Sequence, residues 1–198
     1  MSIVNSKLYQ LVEMSANFFL LNILWVLSCL PVITFFPATI AMFGVIRDWH
    51  MKKDSGVIKP FLKHIKTNVK KSIFLTLVWM PFSIILLSNI KLLEPTESIV
   101  SLLMTLLIGM ILLVFMCTTL YIFPVVVHFE LPMWQLIRNA FFIATSHWKY
   151  TGLGLAIVII IGYFMYQYPI LMFFITSLVS YFIYATCYKA FKQLGAEY

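Results

Sequence analysis

About five stretches of this chain are apolar over lengths that cross a lipid bilayer, and that feature leaves few folds open. They run from Ala16 to Phe36, Ser72 to Ile90, Ser98 to Phe123, Tyr150 to Tyr166 and Ile170 to Tyr188. A helix needs about 20 apolar residues to traverse the hydrocarbon core. Inside that core every backbone N–H and C=O must be satisfied within the protein, so such runs are read as helices. Composition agrees. Hydrophobic residues make up 62% of the chain and charged residues 11%, against about 25% charged in a soluble domain. The predicted fold is all-α: a polytopic membrane helix bundle with about five transmembrane helices and two or three interfacial amphipathic helices. One membrane domain is expected over residues 1–198. The first apolar run is longer than a signal-peptide core and lacks a small-residue cleavage site, so it is expected to stay as a membrane element.

Prolines divide the runs. Pro31 and Pro37 sit near the far end of the first span. Pro37 fits the first turn of a new helix, where its missing N–H costs little, and that helix runs to about His50. The sequence leaves its depth open between the surface, a re-entrant dip and a full crossing. A crossing makes six spans and moves the N-terminus to the other side. Pro81 lies within the second span and Pro124 near the end of the third. Pro132 starts an amphipathic stretch with Trp134, Ile137, Ala140 and Phe141 on its apolar face.

Charge is concentrated between the runs. Arg47, Lys52, Lys53, Lys59, Lys63, Lys66, Lys70 and Lys71 are opposed there by Asp48 and Asp54. Asp54-Ser55-Gly56 reads as a turn. A helix is expected from Pro60, with Phe61, Leu62, Ile65 and Val69 on one face and Lys59, Lys63, Lys66 and Lys70 beside it. An apolar stripe flanked by lysines suits a helix lying in the interface. Arg138 and Lys149 mark the next loop on that side, and Lys189 and Lys192 the tail. The opposite side carries Lys7, Lys91, Glu13, Glu94 and Glu97. The positive-inside rule then makes the C-terminus cytoplasmic and, with five spans, the N-terminus external. The net charge of +7 is distributed as topology signals are, and no nucleic-acid partner is expected.

The order span, proline, amphipathic helix, span occurs over 18–90 and again over 102–166, followed by a final helix over 170–188. A parallel internal repeat and two unrelated connectors both fit this order.

Polar residues offer few chemical constellations. Cys29, Cys117 and Cys187 lie in apolar runs without ligand spacing, so neither a disulfide framework nor a metal site is expected. Gly152-Leu153-Gly154 opens an apolar helix and lacks the context of a nucleotide loop. No cofactor site and no catalytic group is assigned. His128 and Glu130 form the one candidate polar pair. They suit a proton relay or general base, but residues two apart on a helix face different ways, and interfacial polarity explains them as well. Arg47 is read as meeting a lipid phosphate or a carboxylate such as Glu130. Asn22 suits interhelical bonding. The tyrosines Tyr181, Tyr184 and Tyr188 fit either a polar cavity or an aromatic belt. Lys59, Lys63, Lys66 and Lys70 with Arg47 fit contact with anionic lipid or an acidic partner, and fit a topology signal equally.

Several short motifs resemble the YesL family of bacterial multi-pass membrane proteins, built on a domain of unknown function. They are Asn22-Ile23-Leu24-Trp25, Leu30-Pro31-Val32 and Pro37-Ala38-Thr39. Phe61 with Lys66, Asn68 and Lys70 is similar to the family's Phe-x-x-x-Phe-Lys-x-Asn stretch, with Ile65 in place of the second phenylalanine. Leu136 to Ala140 resembles its second amphipathic helix. Members are found mainly in Gram-positive bacteria, often beside genes for carbohydrate uptake. The resemblance therefore implies a non-enzymatic accessory protein of the cell membrane, with carbohydrate ABC transporter subunits as partners. The alternatives are a small secondary transporter and a membrane enzyme acting on lipid or wall precursors.

Overall fold

The computed structural model describes residues 3–51, 56–92 and 99–193. Among them are seven α-helices: α1 (Ile3–Cys29), α2 (Phe35–His50), α3 (Ile58–Leu92), α4 (Ile99–His128), α5 (Met133–Ser146), α6 (Trp148–Gln167) and α7 (Met172–Gln193). No strand occurs among the described residues. Six of the helical segments are long and apolar enough to cross a bilayer. Five correspond to the spans read from the sequence. The sixth is Val32–His50, the segment whose depth the sequence leaves open.

That segment is the centre of the bundle. Residues 36–46 of α2 are all buried, and α2 packs against α1, α3, α4 and α7. The reason lies in its side chains. Ile40, Met42, Phe43, Val45 and Ile46 leave no polar face, and a helix that is apolar all round is an interior helix. Ala38, Ala41 and Gly44 allow close approach of neighbours, which is how helices associate when lipid offers no hydrophobic driving force.

The connection into α2 is tight. A 3₁₀ turn at Val32–Thr34 follows Pro31, with Thr34 N–H donating to the Pro31 carbonyl at 2.9 Å. The chain then runs back along α1. Trp25 Nε1 donates to Thr39 Oγ1 at 3.1 Å, and Phe18 meets Trp49 edge-on with ring centroids 5.1 Å apart. Helix α7 also lies antiparallel to α1: Asn22 Oδ1 accepts from Ser177 N–H at 2.7 Å, and Phe18 meets Tyr181 at 5.7 Å. The start of α1 and the end of α7 therefore lie at the same end of the bundle. This corrects the five-span topology, in which the termini are on opposite sides. The physical cause is α2, which returns the chain beside α1 before α3 begins.

Helix α3 differs from expectation in continuity. The lysine-rich helix and the second span form one helix of 35 residues, about 50 Å long at 1.5 Å per residue. Nothing between Lys71 and Ser72 breaks it, and Pro81 is accommodated inside it. Its later half pairs antiparallel with α4 through Trp79 Nε1, which donates to Thr119 Oγ1 at 2.9 Å, and through Phe82 against Phe115. The first half of α4 presents Leu102, Leu103, Leu106 and Met110 outward, a lipid-facing surface. Its second half, from Leu120 through Pro124 to His128, is buried.

Helix α5 buries a different face from the one expected: of Trp134, Ile137, Ala140 and Phe141 only Ala140 is buried, and Trp134 and Phe141 are exposed. Leu136, Ala140, Ile143 and Ala144 are buried on one face, and α5 packs on α4. Thr151 at the start of α6 fastens the corner, with its Oγ1 2.8 Å from the Ala144 carbonyl oxygen and 3.1 Å from the Tyr121 hydroxyl. The segments 18–90 and 102–166 share the order long helix, short helix, long helix. Their short helices differ in setting, since α2 is enclosed and α5 keeps an exposed outer face that mixes Trp134, Phe141 and Phe142 with Gln135 and Arg138. The turn expected at Asp54-Ser55-Gly56 lies partly outside the described residues. Gly56, within them, has φ +63°, a conformation that favours glycine. Lys52, Lys53, Glu94, Glu97 and the side chains of Lys7 and Lys91 also lie outside the described residues.

Candidate functional site

At the end of the bundle where α2 stops, a cavity of about 790 Å³ opens between α2, the first half of α3 and the end of α4. Helix geometry selects its charged lining. On α3, Pro60, His64, Thr67 and Lys71 recur at the spacing of one face, and Lys59 and Lys63 stand on the adjoining edge of the same wall. Arg47 and Asp48 come from the last turn of α2. Val126, Val127, Glu130 and Leu131 close the third side.

One ion pair organises the α2–α3 wall. His64 Nε2 lies 2.8 Å from Asp48 Oδ2, with both side chains about six-sevenths buried. Gly44 makes this geometry possible. A Cβ at that position would come within 2.7 Å of His64 Cδ2 and Nδ1. The His64 carbonyl accepts from Asn68 Nδ2 at 3.1 Å, and Asn68 is itself buried. Arg47 stands differently: its Nε is buried and has no hydrogen-bond acceptor among the described residues. A guanidinium donor held away from water without an acceptor is costly unless a ligand or lipid group completes it.

The structure distributes the residues singled out from the sequence. Arg47, Lys59, Lys63 and Glu130 line this cavity together. Lys66 and Lys70 are exposed and lie outside its lining. His128 and Glu130 have separate surroundings. His128 is buried, with Nδ1 3.1 Å from the Tyr184 hydroxyl on α7, whereas Glu130 is exposed at the cavity rim. Tyr184 is fully buried, and His50, His128 and Tyr188 surround it with ring contacts. The tyrosine run is thus partly an interior aromatic cluster rather than wholly an interfacial belt. Asn22 bonds α1 to α7, as its depth suggested, although its Nδ2 has no hydrogen-bond partner among the described residues.

Sequence reading missed Asp48, His64 and Lys71 as site members. Their signal was present in the spacing of His64, Thr67 and Lys71, but it ran beside the more conspicuous lysine stripe one residue earlier. Among the described residues, no three or more His, Cys, Asp or Glu side chains gather as metal ligands do.

Comparison with known proteins gives relatives of the same kind. The model of the family described as "Protein of unknown function, DUF624" matches residues 18–90, the stretch that supplies α2, α3 and every charged cavity residue except Glu130. The chain is 30% identical over 179 residues to the uncharacterized protein YesL of Bacillus subtilis (strain 168), covering 88% of this chain and 84% of that protein. It is 27% identical over 202 residues to the uncharacterized protein YteU of the same organism, covering 96% and 89%. A third B. subtilis relative, the uncharacterized protein YesV, is 28% identical over 170 residues, covering 84% and 82%. No solved structure matches the chain.

Proposed function

The chain belongs to the YesL family of membrane proteins of unknown role, and from that premise we propose that it is a non-enzymatic accessory protein working beside a carbohydrate importer in the bacterial cell membrane. The single observation that carries the reading is the cationic end of the bundle. Arg47, Lys59, Lys63, Lys66, Lys70 and Lys71 all belong to the last turn of α2 and the first half of α3. By the positive-inside rule this end faces the cytoplasm, together with Lys189 and Lys192 near the end of α7. Cations held on rigid helices suit an acidic surface on a partner, because electrostatic complementarity steers encounter and fixes register. A subunit of a carbohydrate ABC importer is the partner we assign. The carbohydrate link rests on the genomic company that family members keep.

Co-purification from native membranes tests this. Tagged protein, solubilised gently, is expected to bring down importer subunits, and Lys66→Gln with Lys70→Gln is expected to weaken that recovery as salt rises. Repeated recovery of the intact protein without any transporter subunit would overturn the reading.

A further inference from the structure

The cavity beside Arg47 has properties that a docking face alone does not require. Its lining carries four basic side chains, Arg47, Lys59, Lys63 and Lys71, against two carboxylates, Asp48 and Glu130. Asp48 is already engaged by His64 at 2.8 Å, and Glu130 sits at the exposed rim, where its charge acts on Lys71. The excess is therefore positive inside a concave, partly desolvated volume, where an anion gains more than it would at an open surface. The buried Arg47 Nε, which has no acceptor among the described residues, is the second observation. A guanidinium takes tetrahedral oxyanions through parallel N–H donors. Size is the third. The cavity's 790 Å³ is many times the roughly 30 Å³ that one water occupies in the liquid, so an inorganic ion would leave most of it empty. Pro60, Val126, Val127 and Leu131 supply apolar wall for the remainder. Charged anchors on an apolar wall make the usual pattern of a small-molecule site.

We propose that this cavity binds an organic phosphate, with the phosphate between Arg47 and Lys71 and the organic group against Val126, Val127 and Leu131. Lys59 and Lys63 stand at the entrance and draw the anion in. His64 is a positioning residue: it holds Asp48 away from the phosphate, and Gly44 leaves room for the ring to do so. Two sources carry this chemistry, a soluble phosphorylated metabolite and the headgroup of an anionic phospholipid. The inference does not depend on the accessory role, since a ligand site serves a transporter or a sensor equally.

The experiment uses the full-length protein in an uncharged detergent at fixed ionic strength. One arm titrates glucose 6-phosphate as the soluble probe, with glucose plus sodium chloride as control. The other titrates dioctanoyl phosphatidylglycerol, with dioctanoyl phosphatidylcholine as control. The readout is the midpoint of thermal unfolding, which a ligand of the folded state raises with concentration. Saturable stabilisation in the first arm alone assigns a soluble phosphate, and in the second alone a lipid headgroup. Arg47→Gln is expected to weaken the effective arm about tenfold, as loss of one charge-assisted hydrogen bond does. Lys63→Gln, an exposed change that leaves packing intact, is expected to weaken it severalfold and keeps the test open if Arg47→Gln does not fold. Lys66→Gln with Lys70→Gln, which removes more charge outside the cavity, is expected to leave it unchanged. No saturable effect in either arm overturns the proposal. So does a loss in the Lys66/Lys70 variant equal to that in Lys63→Gln, which would indicate diffuse surface charge.

Discussion

Adding one methyl group at Gly44 is the sharpest test of how α2 and α3 fit. A Cβ there would meet His64 Cγ most closely and stand 2.7 Å from two further ring atoms, whereas ordinary contact begins at 3.4 Å, so the ring must retreat by at least roughly 0.7 Å. It is not free to do so, because its Nε2 is held 2.8 Å from Asp48. A retreat of that size stretches the pair to the edge of hydrogen bonding. Overpacking of this kind costs about 1–3 kcal/mol. Against it stands the gain from replacing glycine by alanine within a helix, about 1 kcal/mol. Gly44→Ala is therefore expected to destabilise the native protein by about 0–2 kcal/mol. With His64→Ala as background the obstruction is gone and only the gain remains, so the same change is expected to stabilise by up to about 1 kcal/mol. The sign reversal is the signature. Equilibrium unfolding in mixed micelles, followed by circular dichroism across increasing dodecyl sulfate fraction, measures all four corners of the cycle. If Gly44→Ala shifts stability equally in both backgrounds, the His64 ring is not what requires glycine and the account of this wall is wrong.

Other consequences follow from the same contacts. Gly154→Ala meets only the Leu120 side chain, at 2.7 Å from Cδ2; a leucine terminus can rotate, so a cost below about 1 kcal/mol is expected in the same micelle assay. Trp79→Phe removes the bond to Thr119 and keeps the ring, and a loss of about 0.6–1.7 kcal/mol is expected; a larger loss would mean the indole shape rather than its N–H carries the α3–α4 contact. Asn22→Leu abolishes the acceptor for Ser177 N–H but also removes an amide nitrogen that has no partner among the described residues. The two effects oppose, and a net change within about 1 kcal/mol is expected; a severe loss would indicate a partner for that nitrogen. Reporter fusions at the two termini are expected to report the same side of the membrane; opposite sides would refute the antiparallel placement of α1 and α7.

The membrane class was legible because burying backbone in lipid requires long apolar helices, and length and composition are properties of the chain itself. The buried face of α5 was not legible: periodicity pointed to Trp134 and Phe141, yet packing on α4 buries Leu136, Ile143 and Ala144 and leaves those two aromatic side chains exposed, because in lipid an apolar side chain need not face protein. The cavity was half legible. Arg47, Lys59 and Lys63 could be named from charge, but Asp48 and His64 are 16 residues apart and meet only because α3 returns along α2. His128 and Glu130 are neighbours in sequence yet part company, since the end of α4 turns one toward Tyr184 and the other toward the cationic wall.

What the sequence by itself determined was the solvent: a helical chain built for lipid, with its positive charge gathered between particular runs. Tertiary structure alone decided the role of Val32–His50. Arg47, Asp48 and His50 make its end look interfacial, and hydropathy counts each residue without regard to its neighbours. Packing instead rewards shape. The small residues Ala38, Ala41 and Gly44 admit four helices around α2, and that enclosure sets the count of membrane-length helices, the side on which the N-terminus lies and the cavity at α2's charged end.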